Sequence, residues 1–234
     1  MRRLATALTA VFALVSLVRT QDAPPPLPAV IVIDAGHGGD DIGVRAAGLE
    51  EKQLTLEIAQ ALRSRLAGTL GLRVVMTRDE DRRLAPDERA AAANAGGGAL
   101  FISLHANAAP VAAVSGAEIY YQAIDRAAAD EASPADTFLI PWERAQARHA
   151  DRSARAAGII HEELQQAVPM SPHPARPGAM RPLVGVNMPA VLVEMLYLTN
   201  PEQAQTVADL KERLVTALAA AVDRFLTSAS ITPQ

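Results

Sequence analysis

The stretch AVIVIDAGHGG at residues 29–39 decides the fold class, because an apolar run leads directly into a glycine-rich turn. A continuous apolar run of this length is typical of a strand that is buried on both faces of a parallel sheet. From Glu51, apolar residues recur at helical spacing as far as Leu66. A strand, a glycine-rich loop and a helix in this order predict a βα unit.

Further apolar runs and periodic segments continue this alternation. We predict strands at residues 72–77, 100–104, 117–121 and 190–194, and helices at residues 86–94, 153–167 and 203–226. The run at 117–121 follows a short loop with no helix, so we expect it at a sheet edge. Residues 124–149 are interpreted as an insertion and residues 169–182 as a proline-rich loop. The pattern predicts an α/β fold: a single domain with a mainly parallel twisted sheet and helices on both faces.

The first residues have the features of an export segment. Two arginines precede an apolar run at residues 4–18, which is too short for a comfortable membrane span. We interpret residues 1–22 as a signal peptide or N-terminal anchor, residues 23–28 as a proline-rich linker and residues 29–228 as one folded domain. This organisation predicts a periplasmic or secreted protein.

The composition narrows the chemistry that the chain can support. It contains no cysteine, which excludes disulfides, thiolate metal sites and a cysteine nucleophile. A metal ion would therefore need histidine and carboxylate ligands. The formal net charge is -4 at pH 7 and no long basic run offsets it, so we predict that the chain does not bind nucleic acid.

Polar side chains follow the predicted strands at the points where ligands gather in open α/β sheets. His37 follows the first strand, His105 follows the third and Glu194 ends the last, while Glu51 opens the first helix. Two imidazoles and a carboxylate can hold Zn²⁺, and a further carboxylate such as Glu194 can act as general base and then as general acid. Either histidine alone would more often be structural, and Glu51 alone would be a solvated helix start, whereas a carboxylate at the end of an apolar strand, such as Glu194, is rarely buried without a partner or a function. The prediction therefore depends on the set.

A phosphate-binding loop is the alternative interpretation of the glycines around His37. Asp40 and Asp41 would repel a phosphate group, and no Gly-Lys-Ser/Thr sequence follows. The hydrolytic metal site is therefore favoured.

Four motifs together carry a family resemblance: IDAGHGGDDIG, GLEEKQLTLEIA, RAAAANAGGGALFISLHANA and PAVLVEMLYLTNPEQ. In this order they resemble the zinc-dependent N-acetylmuramoyl-L-alanine amidases of the amidase type 3 family, over residues 30–225. Ala35 stands where this family usually has proline, but no ligand position is altered.

The resemblance implies that residues 29–228 are an amidase catalytic domain that cleaves the bond between N-acetylmuramic acid and L-alanine. It implies one Zn²⁺ per chain on His37, Glu51 and His105, with Glu194 as the catalytic residue. Asn107 is predicted to bind substrate. We expect a monomer whose partner is peptidoglycan, with a role in cell-wall remodelling, daughter-cell separation or recycling. Whether a protein activates it is left open.

Two alternatives remain at this point. The ligand set alone does not name the bond that is cut, so a zinc carboxypeptidase acting on stem peptides is a rival. A wall-binding domain without catalytic activity is the second.

Four arginines suggest a further contact with the wall. Arg144, Arg148, Arg152 and Arg155 recur at helical spacing and would form one basic stripe if a helix began near Trp142. Such stripes are usually solvated, and contact with the anionic glycan-peptide strand is the alternative hypothesis.

Overall fold

Strands and helices alternate along most of the chain in the computed structural model, which describes residues 29–123 and 145–229. The strands are β1 (Val30–Ala35), β2 (Arg45–Ala46), β3 (Leu49–Glu50), β4 (Arg73–Met76), β5 (Leu100–Asn107), β6 (Glu118–Gln122), β7 (Arg176–Gly178) and β8 (Ala190–Tyr197). The helices are α1 (Glu51–Leu70), α2 (Pro86–Gly96), α3 (Ala150–Gln165), α4 (Pro201–Gln205) and α5 (Val207–Ala229). Short 3-10 helices lie at Ala147–His149 and Arg181–Leu183.

One mixed sheet forms the centre of the molecule, with the strand order β4-β1-β5-β8-β6-β7. Neighbouring strands in it are parallel except for β6 and β8, which are antiparallel. β2 and β3 form a separate hairpin between β1 and α1. The mainly parallel sheet that the sequence predicts is confirmed.

Side chains of the central strands alternate between two apolar layers. Ile31 and Ile33 of β1 pack on one side with residues of α1, α3 and α5. Val32 packs on the other side with residues of α2 and of the segment 183–188. Burial on both faces explains why the β1 sequence is apolar without alternation. Helices therefore cover both faces, as predicted.

Three expectations about single elements are wrong. The 117–121 run is not at the sheet edge, because β6 pairs with β8 on one side and with β7 on the other. β7 lies within the proline-rich residues 169–182, where a short edge strand tolerates a proline. The helix expected at 203–226 is two helices, α4 and α5, which separate at Thr206.

The expected basic stripe does not lie on one continuous helix. Arg144 and Trp142 lie outside the described residues, and α3 begins only at Ala150, after a turn and a 3-10 helix. Arg152 instead stacks over the ring of Phe225, with its guanidinium carbon 5.7 Å from the ring centroid. This contact ties α3 to α5.

Other predictions concern parts of the chain outside the described residues. The signal peptide or anchor at 1–22 and the linker at 23–28 precede these residues, and most of the 124–149 insertion falls in 124–144. None of the described helices combines the length and apolar character needed to cross a membrane.

Candidate active site

His37, Glu51 and His105 come together at the carboxyl edge of the sheet, and we call these three residues the ligand group. His37 follows β1, His105 lies near the end of β5 and Glu51 is the first residue of α1. Oε1 of Glu51 lies 3.0 Å from Nε2 of His37 and 3.0 Å from Nδ1 of His105. The imidazole rings have centroids 5.0 Å apart and are nearly perpendicular. The structure therefore brings together three residues that the sequence places at separate strand and helix ends.

Glu51 is held in a fixed orientation, with 2% of its surface exposed. Its Oε1 accepts a hydrogen bond from the N–H of Ala106 and its Oε2 accepts one from the N–H of Val44, each at 2.9 Å. Burial alone would raise the pKa of Glu51, but hydrogen bonds with His105 and His37 outweigh burial and hold the pKa well below its usual range. The carboxylate is therefore ionised at neutral pH and directed at both histidines.

Two glycines leave room for the side chains of the ligand group. A Cβ atom on Gly36 would lie 2.4 Å from Cε1 of His105, and one on Gly43 would lie 2.5 Å from Oε2 of Glu51. Both distances are shorter than real Cβ contacts allow. The glycines of the loop are thus needed for close packing around the ligand group.

His37 has a φ of 60°, in the left-handed region that residues other than glycine seldom occupy. Its carbonyl accepts a hydrogen bond from Arg89 at 2.8 Å, and its Nδ1 lies 2.9 Å from Oδ1 of Asp41. Burial lowers the pKa of His37, but Glu51 and Asp41 together raise it above its usual value. With Nδ1 facing Asp41, Nε2 is turned toward Glu51, which is how metal-ligating histidines are usually oriented.

Two buried arginines anchor the loop that carries His37, and the sequence gives no signal of their role. Arg89 donates to Oδ1 of Asp34 at 2.8 Å and to the carbonyl of Ala35 at 2.7 Å. Arg78 donates to the carbonyls of Ala35 and Gly36, both at 2.8 Å. In sequence Arg78 lies in a strongly polar stretch and Arg89 follows two acidic residues, and both patterns are typical of a solvated surface. Only the fold shows that they are buried.

Glu194 lies on β8 beside His105 in the parallel register of β5 and β8. Its Oε2 is buried and has no hydrogen-bond partner among the described residues. Burial raises the pKa of Glu194 to about 7, and the neighbouring charge of Glu51 adds to this shift while His105 opposes it. A carboxyl group that titrates near neutrality can both accept and donate a proton.

Glu118 is a further buried carboxylate near the site, and the sequence gives no signal of it. It lies opposite Glu194 in the antiparallel register of β6 and β8, so both side chains project from the same face. It accepts hydrogen bonds from Tyr120 at 2.7 Å and Ser171 at 2.9 Å. Nδ2 of Asn107 lies 3.4 Å from Oε2 of Glu118, so the structure places Asn107 on this side of the site. Its contact with substrate stays a prediction.

A cleft of about 450 Å³ opens beside the ligand group. It is lined by His37, Asp41, Arg83, Leu84, Ala85, Pro86, Arg89, His105, Arg181 and Pro182. The cleft gives a substrate direct access to both histidines.

The ligand group fits a zinc ion by its donor chemistry. One ligand atom from each of the three residues can be chosen so that all lie within 4.8 Å of one another. Two imidazole nitrogens and one carboxylate oxygen are a common donor set of hydrolytic zinc sites. Asp41 supplies the outer carboxylate that such histidines usually contact.

The fold and the site define a single-domain α/β protein with a candidate hydrolytic metal centre at the carboxyl edge of its sheet. Residues 31–224 match the family model Amidase_3, N-acetylmuramoyl-L-alanine amidase. The match covers most of the chain, so the chain belongs to this amidase family. The family indicated by the sequence motifs, and the prediction of an enzyme, are thereby confirmed.

Three known proteins show the extent of the similarity. The N-acetylmuramoyl-L-alanine amidase CwlM of Bacillus licheniformis is 31% identical over 75% of this chain, which spans 59% of the length of CwlM. The catalytic domain of the amidase CwlV from Bacillus (Paenibacillus) polymyxa is 27% identical, with a TM-score of 0.65 and coverage of 85% of this chain and 98% of that domain. An amidase from Clostridium difficile 630 reaches a TM-score of 0.70 at 24% identity, covering 86% of this chain and 98% of that one, which supports the fold alone.

Proposed function

We propose that this protein is a zinc-dependent amidase that hydrolyses the bond between N-acetylmuramic acid and L-alanine in peptidoglycan. The observation that carries the proposal is the buried, unpartnered oxygen of Glu194 beside the ligand group. Membership of the amidase family supports the choice of bond. A role in cell-wall remodelling, daughter-cell separation or recycling follows from that substrate.

His37 and His105 would each hold the metal through a ring nitrogen and Glu51 through a carboxylate oxygen. When bound, Zn²⁺ supplies Lewis acidity for the scissile carbonyl and for the attacking water. Asp41 keeps the ring of His37 in orientation, since its carboxylate holds the Nδ1 edge. The buried Arg89 fixes the backbone of the same loop, so the site is formed before substrate arrives.

Glu194 would move the proton in this reaction. It takes a proton from the attacking water as the new carbon–oxygen bond forms, and it returns a proton to the nitrogen as the carbon–nitrogen bond breaks. The products are a lactyl carboxylate on the sugar and a peptide with a free amino-terminal alanine. In the metal-free protein, burial raises the pKa of Glu194, so its protein surroundings favour a carboxyl group that can accept a proton from water.

The organisation of the chain that we propose follows its sequence. Residues 1–22 would direct export, residues 23–28 would act as a linker, and residues 29–228 would act as a monomeric catalytic domain in the periplasm or outside the cell. Peptidoglycan would be its partner, and the negative net charge supports the absence of nucleic-acid binding.

Digestion of purified sacculi tests the proposed function. An amidase releases peptides that carry a free amino-terminal alanine, whereas a carboxypeptidase releases a single carboxyl-terminal residue and a wall-binding module releases nothing. We expect mass spectrometry of the soluble fraction to show the free alanine terminus, to lose this product after chelator treatment, and to recover it with added Zn²⁺. Release of single terminal residues, or no release by protein that holds zinc, would contradict the proposal.

A further inference from the structure

The charged groups that line the cleft are paired, with one exception. Arg89 is buried against Asp34, and Nη1 of Arg83 lies 3.0 Å from Oδ2 of Asp40. Asp41 contacts His37. Arg181 lines the same cleft and is exposed, and its guanidinium has no ion pair or hydrogen bond with any residue in the described ranges 29–123 and 145–229. The cleft therefore contains one cation whose charge is available to a ligand.

Arg181 lies on a segment that the rest of the fold holds in place. Leu183, two residues further on, is fully buried in the apolar layer between the sheet and α2, and so is Val186. The side chain of Asn94 on α2 donates to the carbonyl of Gly185 at 2.9 Å and accepts from the N–H of Asn187 at 2.7 Å. The backbone that carries Arg181 is thus anchored to both the core and α2, so the fold fixes the point on the cleft wall from which this side chain extends.

We propose that Arg181 binds the free α-carboxylate of the second residue of the stem peptide, next to the L-alanine whose amide is cut. This inference rests on the proposed function, because that function requires the scissile amide to lie at the ligand group. The next peptide residue then lies within one residue length, at most about 3.6 Å along the chain, of L-alanine. A cleft of about 450 Å³ has room for this part of the peptide.

The chemistry of the stem peptide favours this ligand. A second residue that is joined through its side-chain carboxyl group keeps its α-carboxyl group, which is then either a free carboxylate or a carboxamide. A guanidinium pairs with a carboxylate through two parallel charged hydrogen bonds, whereas a carboxamide offers no charge and only one acceptor oxygen. Arg181 would therefore make the enzyme discriminate between the two forms of the wall.

Two soluble muramoyl tripeptides test the inference, one with a free α-carboxylate on its second residue and one with the carboxamide. We expect the wild-type protein to cleave the carboxylate substrate with a kcat/KM roughly 10- to 100-fold higher, the range of a charged hydrogen-bonded pair. Arg181→Gln should remove this preference by lowering kcat/KM on the carboxylate substrate alone, and Arg181→Lys should keep part of it. Arg213→Gln, which removes an exposed arginine of α5 outside the cleft, should behave as wild type.

The outcomes separate the two proposals. If the wild-type protein shows no preference, or if Arg181→Gln lowers cleavage of both substrates equally, the role of Arg181 is wrong while the amidase function stands. If the zinc-loaded wild-type protein cleaves neither tripeptide nor sacculi, the proposed function fails and the inference fails with it.

Discussion

Glu194 and Glu51 belong to one site, but their surroundings shift their pKa values in opposite directions. Burial raises the pKa of Glu194 because one of its oxygens loses water and gains no donor from a described residue. Glu51 is also buried, but two imidazoles and two backbone N–H groups compensate its charge. Opposite shifts in one site usually mark different roles. Glu51 is suited to hold a cation and Glu194 to carry a proton.

The raised pKa of Glu194 predicts how the metal-free protein responds to pH. The pKa is about 7 in the folded protein and 4.5 ordinarily, so between these values the folded state binds more protons than the unfolded state. The charge of Glu194 therefore leaves stability unaffected below pH 4.5, lowers it progressively as the pH rises to 7, and keeps it lowered above that. Glu194→Gln should raise the free energy of unfolding by about 1–3 kcal/mol more near pH 8 than near pH 4.

Urea unfolding of the metal-free proteins at both pH values measures this effect. Glu202→Gln is the matched control, because Glu202 is exposed at the start of α4. An equal pH response of the two variants would show that burial of Glu194 does not set its pKa.

The sequence predicts the candidate metal ligands and the candidate proton carrier, but not the residues that support them. Strand ends mark His37, His105 and Glu194, because the carboxyl ends of parallel strands share one edge. Arg89 gives no such signal, since burial of an arginine depends on a partner such as Asp34, which is distant in sequence. The sequence indicates Asp41 only as a charge unfavourable to phosphate, and only the folded loop shows its contact with His37.

At the scale of single elements, the connection between β1 and α1 determines how His37 and Glu51 are placed in the site. Its glycines allow the chain to turn so that His37 and Glu51 face each other, and the hairpin of β2 and β3 lies within it. The apolar residues predict β1 and α1 well, because the uninterrupted run in β1 and the helical repeat in α1 are each long enough to form a pattern. The two-residue strands β2 and β3 are too short to form a pattern. β7 was not predicted because prolines in its segment indicate a loop.

We expect Gly36→Ala to weaken zinc binding by at least about 10-fold, the lower range for disturbing residues that orient metal ligands. The added methyl group would lie 2.4 Å from the ring of His105, so the ring or the loop must move. The matched control is Gly68→Ala in α1, where nothing lies within 4 Å of the added atom and the helix should gain up to about 1 kcal/mol. Competition with a chromogenic chelator measures zinc affinity, and wild-type affinity in Gly36→Ala would contradict the packing argument.

At the scale of the whole molecule, apolar cores pack on both faces of the sheet that carries the site. The larger core of α1, α3 and α5 and the smaller core under α2 fix the strands that carry His105 and Glu194. The fold class could be predicted from the apolar strands that alternate with helices. The location of the site could be predicted because its residues follow the ends of those strands and lie in the four motifs. The antiparallel β6 between β8 and β7 could not, since the pairing of a short strand is decided by tertiary contacts.

The zinc content and the cleavage rate of Glu194→Gln, measured on one preparation, test whether Glu194 carries the proton. We expect this variant to keep one zinc ion per chain while release of peptides with free amino-terminal alanine from sacculi falls by about 10²- to 10⁴-fold, the range for loss of a general acid–base group. Release at the wild-type rate by the zinc-loaded variant would contradict the role of Glu194.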